Sequence, residues 1–203
     1  MIQIHSTDLI GKGLHRECFS HPQDNSLCVK IAVNENITET RREQSYYRLL
    51  ESRKVSWAML PKFHGNIDTN MGSGAVFDMI RNPDGAVSKT LEFYLRSIEE
   101  SRRHYSDLLS AFVALKDYLL KEQIITMTIK PKNIVYQESG EERGKLFIVD
   151  NIGNSDYLPL CNYSKMFGSK KIRRKWQRFE NSILKTYPEN DAFKEIIDHT
   201  KGK

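Results

Sequence analysis

Apolar and polar positions divide the chain into two parts with different periods. Over residues 2–33, short apolar runs are broken by Gly11, Gly13 and the His21-Pro22-Gln23-Asp24-Asn25 cluster, which predicts consecutive β-hairpins. Residues 38–52 change to helical spacing. Tyr46, Tyr47, Leu49 and Leu50 form an apolar side opposite Arg41, Arg42 and Glu51, with Thr38 and Thr40 as candidate caps. Strand-like runs follow at residues 61–67 and 74–80. The turn-rich Arg81-Asn82-Pro83-Asp84-Gly85 stretch then marks a boundary between residues 1–80 and 81–203.

Beyond that boundary the pattern is mainly helical. Residues 90–97 predict one helix and residues 101–121 a long amphipathic one, with Tyr105, Leu108, Leu109, Phe112, Leu115 and Leu119 on one side. Residues 133–136 and 146–149 flank a polar turn, Glu138-Ser139-Gly140-Glu141-Glu142-Arg143-Gly144, and predict a hairpin. Residues 170–187 return to helical spacing through Ile172, Trp176, Phe179, Ile183 and Leu184. The fold class expected is α+β, a single domain over residues 1–203 with a β-rich first part and a mainly helical second.

Composition narrows the class further. The chain has 203 residues, enough for one domain or two closely joined lobes. Its longest apolar candidate, residues 108–120, is interrupted by Lys116 and Asp117 and falls short of the roughly 18 apolar residues of a spanning helix, so no transmembrane segment is expected. Residues 1–9 lack the basic head and apolar run of a signal peptide. Cys18, Cys28 and Cys161 are odd in number and form no Cys-x-x-Cys pair, which argues against a disulfide framework or a zinc site. The expected compartment is cytoplasmic. The net charge of +5 is concentrated in Lys170, Lys171, Arg173, Arg174, Lys175 and Arg178, without which the chain is close to neutral. That C-terminal helix has two readings: its charges are solvated while its apolar face packs inward, or residues 170–178 dock an acidic protein, nucleic acid or anionic lipid.

Several elements carry candidate chemistry, and their order matters more than any one of them. Gly11-Lys12-Gly13 lies in a predicted hairpin turn, where missing side chains let backbone N–H groups approach phosphate oxygens. Lys30 is set in an apolar strand, Leu27-Cys28-Val29-Lys30-Ile31, where an unpaired ammonium is costly to bury. Glu43 on the following helix is a candidate partner. Thr126-Met127-Thr128-Ile129-Lys130-Pro131-Lys132-Asn133 then precedes, across one hairpin, Phe147-Ile148-Val149-Asp150-Asn151-Ile152-Gly153.

These stretches resemble the protein-kinase family, whose catalytic loop reads His-Arg-Asp-Leu-Lys-Pro-x-Asn and whose metal-binding segment reads Asp-Phe-Gly. Lys130, Pro131, Asn133, Asp150 and Gly153 match, with one extra residue in Asn151-Ile152. The phrases Thr-Met-Thr-Ile-Lys-Pro-Lys-Asn-Ile, Val-Asp-Asn-Ile-Gly and Gly-Lys-Gly-Leu-His-Arg-Glu-Cys-Phe are similar, more closely, to the bacterial YrbL family, which is linked to the PhoP regulatory network. The resemblance covers nearly the whole chain and implies a minimal bilobal kinase-like fold that binds ATP with Mg²⁺. It implies that Gly11 and Gly13 cover the phosphates, that Lys30, held by Glu43, contacts them, and that Lys130 neutralises the terminal phosphate. Asn133 and Asp150 would hold Mg²⁺ through hard oxygen donors. The run Phe77-Asp78-Met79-Ile80 would join the lobes, with backbone groups of Asp78 and Ile80 offered to adenine.

Three departures qualify the resemblance. Thr128 stands where the family's catalytic Asp accepts the substrate hydroxyl proton, and a threonine hydroxyl is no base near neutral pH; such help is typically worth about 10² to 10⁴ in rate. Arg16 replaces the third glycine of the phosphate loop, either narrowing the site or adding a cation. No Ala-Pro-Glu segment follows Asp150, so a conventional protein-substrate platform is not expected. Two functions follow: an ATP-binding protein that is a weak atypical phosphotransferase or a regulatory pseudokinase, or a non-catalytic module using the basic helix.

Overall fold

The computed structural model describes residues 1–13, 15–33, 38–140, 143–154 and 164–201. Leu14 of the glycine turn, Glu141 and Glu142 of the polar turn, and Cys161 lie outside the described residues.

Alternation along the first strands builds an antiparallel sheet. Strands β1 (Leu9–Lys12), β2 (Arg16–His21) and β3 (Asp24–Ala32) form a meander, and β4 (Phe63–Thr69) and β5 (Gly72–Asp78) complete the five-stranded order β1-β2-β3-β5-β4. In β3, flanked on both sides, residues 28–31 are all buried, and their period of two sends them to different places. Val29 and Ile31 join Ile2, Ile4 and Phe19 in a small outer cluster. Cys28 faces the main core with Ala75 and Phe77, and Lys30 lies on that side, its ammonium 4.3 Å from the centre of the Phe77 ring. Gly74 is required for this packing, since a Cβ there would collide with Val29.

Helix α1 (Thr38–Ser52) spans the residues its apolar spacing predicts. It lays Tyr46, Tyr47 and Leu50 against the sheet, with the Tyr47 ring stacked on Trp57 at 5.9 Å and edge-on to Phe77 at 5.2 Å. Its C-terminal end is tied to the second lobe: the Ile125 N–H donates to the Tyr46 hydroxyl at 2.8 Å, and Arg53 donates to the carbonyls of Glu122 and Gln123. One apolar core runs through both lobes.

The second lobe contains α2 (Leu91–Arg96), α3 (Ile98–Arg103), α4 (Tyr105–Glu122), α5 (Lys165–Thr186) and α6 (Asp191–Lys201), with a short sheet ordered β6 (Lys89–Thr90), β7 (Ile134–Gln137) and β8 (Lys145–Ile148). The helix expected over residues 101–121 is two. Ser97 caps α3 by accepting from the Glu100 N–H, and His104, at φ −101° and ψ 16°, turns the chain before α4. The basic helix begins at Lys165 rather than Lys170. Helix α6 is not anticipated by the sequence reading, although Phe193, Ile196, Ile197 and Thr200 supply its buried stripe and Asn190 caps it by accepting from the Phe193 N–H at 3.1 Å. Phe112 gathers Trp176, Phe179 and Phe193 around itself, at centroid distances of 4.8, 5.9 and 6.4 Å, so α5 and α6 close over α4.

This is the α+β arrangement expected: an antiparallel sheet with one helix in front, and a mainly helical second part carrying the β7–β8 hairpin. None of the described helices is long and apolar enough to cross a membrane.

Candidate functional site between the lobes

Parity in the sheet decides which side chains enter the cleft. Cys18 pairs with Lys30 across β2 and β3, and Arg16 with Ala32, so Arg16, Cys18 and Lys30 share a face. Arg16 turns its guanidinium inward and bridges two carboxylates: one nitrogen donates to Glu43 on α1, the other to Asp150 after β8. Lys30 donates to the Val149 carbonyl, the residue before Asp150. Four elements distant in sequence thus converge on one cluster of charge. Glu43 is only 1% exposed, and its Oε1 has no hydrogen-bond partner among the described residues.

The expected Lys30–Glu43 pair is therefore not made; Arg16 takes its place at Glu43. Of the two alternatives open for Arg16, the structure supplies a further cation. The alternation that puts Arg16 two residues before the partner of Lys30 places it on that face, whereas the glycine-loop comparison left a narrowed site and an added cation both open. Burial works against the charged form of Asp150, yet Lys30 and Arg16, helped by the Asn151 N–H and by Lys132, outweigh it and hold the carboxyl below its ordinary value. The side chain of Asp150 remains about one-third exposed.

Asn133 reaches the same end of the β7–β8 hairpin, because the Val149 N–H donates to its carbonyl at 2.9 Å. Its side chain is buried, and it lies one residue before β7 as Asp150 lies just beyond β8. Asn151 makes the bend after Asp150 in the left-handed region, at φ 62°, a conformation asparagine tolerates. This uses the extra residue of Asp150-Asn151-Ile152-Gly153: the Asn151 carbonyl accepts from the Met127 N–H at 2.8 Å, and the Gly153 N–H donates to Ile125 at 3.0 Å.

Thr128 is exposed at this edge, its hydroxyl accepting from the Asn151 amide at 3.0 Å. Lys130 is exposed two residues on, just before the 3₁₀ turn Pro131–Asn133. Two lysines of the basic helix point inward to the loop segments: Lys175 donates to the Met127 carbonyl and Lys171, 4% exposed, to the Asn154 side chain. The sequence reading grouped both with the solvated or docking charges, because helical spacing alone does not separate a lysine on the seam from one on the open face. Lys170, Arg173, Arg174 and Arg178 are exposed.

At the lobe connection, the Asp78 carboxylate accepts from the Lys62 N–H at 2.8 Å and pairs with His64 at 2.6 Å. That carboxylate holds the segment to β4. Met79 spends its N–H on Ser26 and Ile80 its carbonyl on the Ser88 N–H, while the Ile80 N–H makes no backbone hydrogen bond among the described residues. Gly11 is exposed with open space where a Cβ would stand, and the Gly13 N–H closes the turn by donating to the Arg16 carbonyl at 2.8 Å. Among the described residues, no group of three His, Cys, Asp or Glu side chains is placed to hold a metal, so a metal here would depend on Asp150 with the amide of Asn133.

Comparison with known proteins agrees with the sequence motifs. Residues 2–184 match the family described as PhoP regulatory network protein YrbL. The YrbL proteins of Escherichia coli strain K12 and Shigella flexneri are each 36% identical over 184 residues, covering 88% of this chain and 86% of theirs. Among solved structures, a chain from the CAK complex of Chaetomium thermophilum bound to ATP-gamma-S is similar over 70% of this chain and 44% of that one, less than half its length, at 17% identity and a TM-score of 0.49. The chain belongs to the YrbL family of PhoP regulatory network proteins.

Proposed function

We propose that the cleft between the lobes binds ATP with Mg²⁺, and that the protein is a weak atypical phosphotransferase or a nucleotide-responsive regulatory pseudokinase. The observation that carries this reading is the convergence of Arg16, Lys30, Glu43 and Asp150 from β2, β3, α1 and the segment after β8. Burying so much charge is costly unless it is paired or used.

The donors present fit the groups proposed. Asp150 and the Asn133 amide oxygen are the hard oxygen donors Mg²⁺ prefers, and they leave the β7–β8 hairpin side by side. Bound there, Mg²⁺ would offset phosphate charge. Lys30 and Arg16 carry the positive charge for the phosphates, with Gly11 and Gly13 offering close backbone approach and Lys130 facing the terminal phosphate. The Asp78 carbonyl and the Ile80 N–H are the edge offered to adenine. Glu43 positions Arg16. Thr128 holds no carboxylate to accept a proton, which would slow any transfer.

Thermal unfolding with and without ATP and Mg²⁺ tests binding: at a hundred times the dissociation constant, the nucleotide should stabilise the protein by roughly 2.7 kcal/mol. No stabilisation of the wild type sinks the reading. Transfer of labelled γ-phosphate, with Asp150→Ala as control, then separates a slow enzyme from a pseudokinase, since signal equal in both proteins does not arise at this site.

A second reading has the fold as scaffold and the open face of α5 as a dock for an acidic partner. It is supported by the exposure of Lys170, Arg173, Arg174 and Arg178. Replacing all four with Gln should weaken capture of such a partner and flatten its salt dependence; unchanged capture removes this reading.

A further inference from the structure

Helix α5 presents two unlike faces. On the inner one, Ile172, Trp176, Phe179 and Ile183 are buried, Phe112 of α4 stands 4.8 Å from the Trp176 ring, and Lys171 and Lys175 reach Asn154 and Met127. The cations left exposed are Lys165, Lys170, Arg173, Arg174, Arg178 and Lys185. The one acid of the helix, Glu180, is buried and accepts from the Trp176 indole N–H at 2.7 Å and from the Thr200 hydroxyl at 3.1 Å. The exposed positions of α5 thus carry six cations and no carboxylate over 22 residues, about 30 Å of helix.

Helix stability does not account for this pattern. Lys170, Arg174 and Arg178 follow one another at steps of four residues, so like charges are surface neighbours and oppose the helix. Lys165 stands in the first turn, which holds no acid and where the helix dipole disfavours a cation. Other exposed cations of this lobe are matched by acids: Arg96 pairs with Glu92, Arg103 with Glu99 and Lys194 with Asp191. None of the six on α5 has an ion pair among the described residues. Their placement answers to something outside the fold.

Charge alone suits any polyanion, and the apolar residues narrow the choice. Met166 and Phe167, 71% and 49% exposed, are the only consecutive large apolar side chains left exposed among the described residues. Phe167 lies three residues before Lys170 and seven before Arg174, and Met166 four before Lys170 and seven before Arg173, so helical spacing puts both on the cationic face. Nucleic-acid phosphates would satisfy the cations and leave this pair in water. An anionic bilayer offers phosphate-bearing headgroups with apolar chains beneath them, which matches both. We propose that the open face of α5 docks on an anionic phospholipid surface, its cations against the headgroups and Met166 and Phe167 inserted at their depth. The proposal rests on the reading of α5 as a dock and names its partner; it does not depend on nucleotide binding.

Flotation of the full chain with phosphatidylcholine vesicles, alone or mixed equally with phosphatidylglycerol, tests it. The wild type should float with the mixed vesicles and not with phosphatidylcholine alone, and added salt should release it. Each cation removed should weaken partition about fivefold, so changing Lys170, Arg173, Arg174 and Arg178 together to Gln should weaken it on the order of 10² to 10³-fold. Met166→Ser with Phe167→Ser should weaken vesicle binding about tenfold and leave retention on soluble polyglutamate as in the wild type. All these positions are exposed, so the variants should keep the wild-type circular dichroism spectrum and fold. Equal flotation of the Met166→Ser, Phe167→Ser variant and the wild type shows that charge alone is read and overturns the proposal, as does duplex DNA that strips the wild type from mixed vesicles. A wild type that fails to float at low salt overturns it too: if polyglutamate still holds that protein, the dock reading survives without a membrane, and if neither holds it, both fall.

Discussion

The two walls of the cleft are built from different materials. On the sheet wall, Arg16, Lys30, Glu43 and Asp150 are ion-paired or hydrogen-bonded, and Glu43 and Lys30 are buried. On the loop wall, Thr128 and Lys130 are exposed, and the Thr128 hydroxyl accepts a neutral hydrogen bond from Asn151. Charge is concentrated where an anionic ligand and its metal would be held and is missing where a proton would be accepted. On the proposed function, the contrast would separate binding from transfer within one site, and substitutions on each wall should move only one of them.

The largest effect is expected on the loop wall. Thr128→Asp restores a carboxylate where the Asn151 amide already stands 3.0 Å away to orient it, and a general base is worth about 10² to 10⁴ in rate. Transfer of labelled γ-phosphate to an added hydroxyl acceptor should rise by that order while the thermal shift given by ATP stays constant. A variant that binds ATP as the wild type does and transfers no faster places the deficit elsewhere and breaks the comparison.

On the opposite wall, Arg16→Met should cost stability first. It leaves Glu43 as a buried charge without its partner, and removing one member of a buried pair costs about 3–5 kcal/mol. Chemical denaturation should show a loss of about that size, largely recovered by adding Glu43→Gln. Failure of the second change to rescue would mean that Arg16 acts through its other contacts rather than through Glu43.

Much of this fold was legible because period and burial agree. Helix α1 follows its apolar spacing to the residue, and the hairpins of the first lobe follow their turns. Legibility failed where long-range partners decide the outcome. Nothing local distinguishes Lys171 from Lys170, yet one is buried against Asn154 and the other is exposed. Helix α6 carried a readable stripe but depends on Asn190, whose side-chain amide donates to Leu95 at 3.0 Å and to Ser101 at 2.7 Å. In the site, motif order located Asp150, Asn133 and Thr128, whereas the pairing of Glu43 with Arg16 required knowing that β2 presents Arg16 and Cys18 on the face of Lys30.

Acid should reveal the sheet wall in a second way. Asp150 is held below its ordinary value, so its contribution to stability is complete above the unfolded-state value near 3.9 and is lost as pH falls through the lower folded-state value. Denaturation midpoints should therefore fall below about pH 4, and less steeply in Asp150→Asn. An identical slope in the two proteins would assign the acid sensitivity to other carboxylates.

The smallest effects separate the two sides of α5. Lys171→Met should cost about 1–3 kcal/mol, because it removes a buried charge-assisted hydrogen bond to the Asn154 side chain. By the same physics, Arg173→Gln and Arg174→Gln, on exposed positions, should each stay within about 0.5 kcal/mol. Because Lys171 and Lys175 hold the segments that carry Asn154 and Met127, Lys175→Met should also increase amide hydrogen exchange at Met127 and Asn151, whose backbones are bonded to each other. Exchange at Arg16 and Lys30 should not change. Faster exchange on both walls would show that they open as one unit, and the division between a binding wall and a transfer wall would no longer hold.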